Sequence, residues 1–110
     1  MLISKDSSSQ EVVDKDLFFG KKLLDQEALA IRELANNLNK SFSEAINCLL
    51  ATEGHVIVGG IGKSGHIARK IASTLSSTGT PAFFIHPSEA SHGDLGMIKS
   101  QDTMVLLSKS

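Results

Sequence analysis

The chain has 110 residues and a mass of 11.7 kDa, of which 41% are hydrophobic and 21% charged, the composition of one ordinary globular domain. A chain of this size hides only roughly two-thirds of the surface its unfolded state exposes, so association with further copies would help it. Eleven Lys plus Arg against twelve Asp plus Glu leave a net charge of −1, which removes the electrostatic argument for a dedicated binder of nucleic acid or anionic membrane.

Residues 1–13 read as a flexible leader, because Ser4 to Glu11 are polar and have nothing to bury. From about Asp14 to Leu38 the apolar positions Leu17, Leu24, Ala28, Ile31, Ala35 and Leu38 recur at spacings of three, four or seven, which predicts one helical stripe ended by Asn36, Asn37 and Asn39. Ser41-Phe42-Ser43-Glu44 matches a capping box and opens a second helix through Ile46, Leu49 and Leu50, with Gly54 as its stop. Cys48, the single cysteine, sits in that helix as a packed thiol. It excludes a disulfide framework and fits a reducing compartment. No apolar run approaches a secretory or membrane-spanning segment, so a cytoplasmic location with no membrane partner is the default expectation.

The pattern changes at His55. Val56-Ile57-Val58 is a short β-branched run without alternation, as expected of a parallel strand covered on both faces. Ser64 to Thr78 is a helix by its Ile67, Ile71, Ala72, Leu75 stripe. It stops at Gly79, and Ala82-Phe83-Phe84-Ile85 follows as a second strand, so residues 56–85 form a βαβ unit. After an irregular stretch from Pro87 to Lys99, Thr103 to Leu107 is a third strand of buried type. The fold class is therefore α/β, a partial doubly wound parallel sheet of flavodoxin-like kind preceded by two helices. Ending three residues after an uncovered strand predicts a truncated domain, 14–110.

Gly59-Gly60-Ile61-Gly62-Lys63-Ser64-Gly65 joins a strand to a helix N-terminus, where backbone N–H groups and the helix dipole favour an anion. A P-loop does not fit, because its first glycine falls at Ile57. The spacing Gly60-x-Gly62-x-x-Gly65 fits a dinucleotide fingerprint, but His86 stands where an acid should hold the ribose. A sugar-phosphate site using Lys63 and Ser64, and a plain tight turn, both stay open. The loop after the second strand carries His86, Glu89, His92 and Asp94 at the carboxyl edge of the sheet, where general acid–base chemistry near neutral pH is feasible. Paired metal ligands His86 and His92 are one alternative there. For His86 the favoured alternative is a strand-end ring bonded to a neighbouring carbonyl, and His66 reads as a packing or surface residue.

Gly62-Lys63-Ser64-Gly65-His66-Ile67-Ala68-Arg69-Lys70, Ser77-Thr78-Gly79-Thr80-Pro81, Phe84-Ile85-His86-Pro87 and Ala90-Ser91-His92-Gly93-Asp94-Leu95-Gly96 resemble the sugar isomerase (SIS) domain of arabinose-5-phosphate isomerases, in register from about Leu17 to Ser108. The resemblance implies interconversion of D-arabinose 5-phosphate and D-ribulose 5-phosphate, feeding 3-deoxy-D-manno-octulosonate and lipopolysaccharide. It implies Lys63 and His92 as catalytic residues. Gly60, Gly62, Ser64, Gly65, Ser108 and Ser110 hold substrate and phosphate, Ser108 and Ser110 matching the family's Ser-x-Ser loop with Lys109 where Asn is usual.

Glu89 and Asp94 are the carboxylates placed to act as base, since the family's glutamates lie beyond Ser110. The resemblance further implies a sugar phosphate as partner, a homo-oligomer (a tetramer), and no required cofactor, with zinc on His92 left open. It covers the N-terminal portion of the family's domain. The rival expectation is a non-catalytic sugar-phosphate-binding module or an inactive fragment.

Overall fold

A computed structural model of the chain describes residues 9–90 and 94–109, with the side chains of Ala90, Asp94 and Leu95 left aside. Its elements are α1 (Gln10–Asn37), α2 (Lys40–Leu50), β1 (Val56–Gly60), α3 (Lys63–Ser77), β2 (Ala82–Ile85), α4 (Pro87–Ala90), a 3-10 turn (Asp94–Met97) and β3 (Thr103–Leu107). They form two compact units, one running to Lys40 and one from Ser41.

In the first unit, α1 starts at Gln10, inside the stretch expected to be a leader. Its first turn is supported locally. Val12 N–H donates to Ser9 O at 2.8 Å, the Gln10 amide donates to Asp14 Oδ1 at 3.1 Å, and Glu11 places negative charge near the positive end of the helix dipole. The helix ends at Asn37 as the asparagines predict, with Leu38 already extended. None of its residues is buried, so the stripe carrying Leu17, Leu24 and Ile31 is exposed.

α2, which apart from Lys40 belongs to the second unit, opens one residue before the expected cap. Ser41 is therefore a helical residue, and Asn39, also of the capping class, precedes the helix. The helix stops at Leu50, not Gly54, as Ala51 N–H still reaches Asn47 O and the Thr52 hydroxyl donates to Cys48 O at 3.1 Å. Gly54 has a different role: a Cβ there would collide with the Asp102 carboxylate. Cys48 is exposed rather than packed, because the helix turns Leu49, not its neighbour, toward the core.

β1 is the central strand of a three-stranded parallel sheet in the order β2-β1-β3, with Val56 opposite Ala82 on one side and Thr103 on the other. All five of its residues are buried, and Val56, Ile57 and Val58 completely so, each contributing about 1.5–3 kcal/mol of apolar burial. α3 lies against the sheet through Gly65, Ala68 and Ala72, with Ile71 and Leu75 half-buried around them, while Ile67 of the expected stripe faces outward. Small residues set this face because they let the helix backbone approach the strands.

α3 stops where predicted, at Gly79, whose φ of 99° suits glycine. β3 alternates half-buried Val105 and Leu107 with exposed Met104 and Leu106, so it is covered on one face rather than two.

The expected irregular stretch contains two short helical pieces, α4 and the 3-10 turn. At the opposite, N-terminal edge of the sheet, Asp102 ties β3 to β1. Its Oδ1 accepts from His55 N–H at 2.8 Å and its Oδ2 from Lys99 N–H at 2.7 Å. Those two donors hold its carboxyl below the usual carboxylate range, the His55 N–H contributing most. The hydroxyls of Thr52 and Thr103 meet at 2.6 Å beside it.

Candidate functional site

β1 ends on two glycines and the chain reverses into α3 within two residues. Gly62 adopts φ 62° and ψ −129°, a region essentially reserved for glycine, so this position cannot take a side chain without strain. The first helical bond of α3 runs from His66 N–H to Gly62 O at 3.3 Å. The amides preceding His66 are thus the ones a helix leaves without an internal partner, at the positive end of its dipole.

Beside this turn is a cavity of about 450 Å³. Gly59 and Gly60 form one wall, Lys63 and Ser64 come from the first turn of α3, and Ser108 and Lys109 arrive from the segment after β3. Pro87 at the start of α4 and the side chains of Ile61, Leu106 and Leu107 complete it. The parallel register causes this convergence: Gly60 pairs with Leu107, so the residues after β3 emerge level with the turn after β1. Two ammonium groups, two hydroxyls and the turn amides around an otherwise apolar space can grip an oxyanion at one end and a short carbon chain at the other.

Of the expected site residues, Gly60, Lys63, Ser64 and Ser108 line this one cavity. Gly62 and Gly65 instead line a second one, of about 190 Å³, together with His66, Arg69, Phe84 and His86. Glu89 is exposed on α4 and borders neither cavity. Asp94 opens the 3-10 turn, while His92 and Ser110 lie outside the described residues.

Among the described residues the His86 ring bonds no carbonyl: its Nδ1 accepts from Ser88 N–H at 3.2 Å and meets the Ser88 hydroxyl at 2.6 Å. His66 is exposed, as expected of a surface residue. Lys109 and Pro87 are cavity residues that the sequence reading did not single out. The position of Lys109 between two expected phosphate serines was the available signal. Among the described residues no three His, Cys, Asp or Glu side chains come together to hold a metal, and no helix is long and apolar enough to cross a membrane.

The SIS domain family profile matches residues 49–110, which include the whole sheet and both cavities. Over 91 residues the chain is 55% identical to the arabinose 5-phosphate isomerase GutQ of Escherichia coli K12 and 52% identical to the arabinose 5-phosphate isomerase KdsD of Yersinia pestis. Each of these matches covers 83% of this chain, and the chain spans 28% of the length of each relative. Among solved structures, a protein of E. coli CFT073 in complex with arabinose 5-phosphate superposes with a TM-score of 0.78 at 43% identity, covering 87% of this chain and 52% of that one. A parallel sheet with a glycine turn at its carboxyl edge, a family profile over more than half the residues and relatives of this similarity agree: the chain belongs to the SIS domain family.

Proposed function

We propose that this chain carries the substrate-gripping part of a sugar-phosphate isomerase that interconverts D-arabinose 5-phosphate and D-ribulose 5-phosphate. The observation that carries this reading is the convergence of Lys63, Ser64, Ser108 and Lys109 on one cavity over Gly59 and Gly60. The names of its relatives GutQ and KdsD support the choice of pentose phosphate.

The reaction moves a proton between C1 and C2 through an enediolate, so it requires a base, a stabiliser for the developing oxyanion and a hold on the phosphate. The Lys63 ammonium stabilises the oxyanion. Ser64, Ser108, Ser110 and the amides of the glycine turn hold the phosphate. His92 polarises the carbonyl or assists ring opening, and of the two expected carboxylates Glu89 stands outside the cavity, which leaves Asp94 as the base available within the chain. No metal is needed for these steps, and a zinc ion on His92 would supply a Lewis acid at the same carbonyl. In this reading the enzyme is a cytoplasmic homo-oligomer whose product feeds 3-deoxy-D-manno-octulosonate and lipopolysaccharide synthesis. The exposed apolar residues of α1 support the oligomer.

One observation favours a second reading, a sugar-phosphate-binding module without turnover: among the described residues no carboxylate lines the cavity. A proton NMR time course with ribulose 5-phosphate in deuterated water separates the two. Arabinose 5-phosphate carrying deuterium at C2 is the expected result for the isomerase. Saturable binding with neither product nor exchange would replace it with the binding module.

A further inference from the structure

Among the described residues, the smaller cavity shares no lining residue with the larger one. We propose that it is a second, separate anion site, which takes the phosphate group of a phosphomonoester other than the one held at Lys63. The inference rests on the cavity's own residues and stands whether or not the chain is an isomerase.

Among the described residues, the polar side chains that line it are His66 and Arg69 from α3 and His86 from the end of β2, and none is acidic. Two elements therefore aim one chemistry at one space. The Arg69 guanidinium stacks on the Phe84 ring, 4.1 Å from its centroid, a geometry that holds the planar cation in place while leaving its N–H edge available. Among the described residues it has no carboxylate partner.

His86 is oriented as well. Because a backbone N–H can only donate, the bond from Ser88 N–H makes Nδ1 the acceptor and leaves the ring proton of the neutral form on Nε2, a donor. His66 adds a third ring one turn before Arg69. Cationic and N–H donor groups with no acid among the described lining residues select an oxyanion over a cation, and Arg selects phosphate in particular.

Size decides what enters. At about 190 Å³ the space is well below the roughly 300–1,000 Å³ of sites that enclose a whole small molecule, whereas the Lys63 cavity at about 450 Å³ is within that range. The smaller cavity thus receives one charged group of a ligand whose remainder stays in solvent. Gly62 lines this space while Ile61 and Lys63 on either side of it line the other, so the two sites share one turn.

The test is a titration of the 110-residue chain with inorganic phosphate at constant ionic strength, following the imidazole signals of His66 and His86 by NMR. His55, at the far edge of the sheet, serves as the control. It is run in the Lys63→Ala background to silence the larger cavity. Saturable shifts of His66 and His86, absent at His55, are expected.

Removing the charge with Arg69→Gln should weaken them about tenfold, the loss of one charge-assisted contact. His66→Gln, on an exposed position, should weaken the remaining His86 shift too and guards against a folding defect in the first variant. Shifts that vanish in the Lys63→Ala background, that rise linearly without saturation, or that Arg69→Gln and His66→Gln leave intact would each overturn the proposal.

Discussion

Gly60 and Gly65 pass so close to one another that neither has room for a side chain. A Cβ on Gly60 would lie 2.8 Å from the carbonyl of Ser64, and one on Gly65 would lie 2.8 Å from the carbonyl oxygen of Gly60. Alanine in a helix ordinarily gains about 1 kcal/mol over glycine, but forcing these backbones apart costs about 1–3 kcal/mol. Gly65→Ala is therefore expected to destabilise the domain. Gly20→Ala, in the middle of α1 with nothing within 4 Å, is expected to raise helix stability by about 0.5–1 kcal/mol. Thermal melts followed by circular dichroism should show the opposite signs. A stabilised Gly65→Ala would mean that the strand and helix do not approach this closely.

Lys63 is exposed at the rim of the turn, and its removal leaves no buried group unpaired. Lys63→Ala should keep the melting behaviour within about 0.5 kcal/mol of the parent. If the isomerase reading holds, it should also lower kcat/KM for pentose phosphate isomerisation about 100-fold or more, as expected for one donor to a developing oxyanion. Steady-state kinetics on the protein with its native sequence context checks it, and near-parental kcat/KM would remove Lys63 from the chemistry.

Asp102 gives a pH dependence of defined sign. Its carboxyl is held low by the His55 and Lys99 N–H groups, so the folded state binds its proton more weakly than the unfolded chain. The stabilisation is fully present above the unfolded value of about 3.9 and is lost as pH falls through the lower folded value. The difference in Tm between the parent and Asp102→Asn should be constant above about pH 5 and close at lower pH. A difference that persists undiminished in strong acid would show that the charge is not what the two amides recognise.

Cys48 stands on the open side of α2. A thiol reagent should modify it once per chain under native conditions, at a rate close to that of the urea-unfolded protein. Strong protection in the native state would restore the packed thiol that the helix pattern suggests.

The order of elements and the parallel sheet were legible from particular residues: the β-branched run at Val56, the stops at Asn37 and Gly79, and the glycine turn between strand and helix. Of the expected α3 stripe, Ala72 is buried and Ile71 and Leu75 are half-buried, whereas Ile67 faces outward, because close packing on the sheet selects the small residues Gly65 and Ala68 in the first turns. Local pattern makes Gly54 a helix stop, whereas its real constraint, the Asp102 carboxylate, arrives from the far end of the chain. Four of the larger cavity's ten described lining residues are legible in the sequence, Gly60, Lys63 and Ser64 in the turn and Ser108 by resemblance. Lys109 and Pro87 join it only through strand register and the path of α4, which no local pattern encodes.

The position of β3 in the sheet links ligand binding to the timing of assembly. β1, α3 and β2 are consecutive and can pair locally, whereas β3 joins β1 across a long connection and so closes the larger loop. Leu106 to Lys109 form part of the larger cavity, so that cavity is complete only after this last strand has docked. A bound ligand then clamps the sheet, and it should slow amide hydrogen exchange in β3 in proportion to its occupancy while leaving α1 unchanged. The arrival of the strand and the arrival of the ligand are two readings of a single equilibrium.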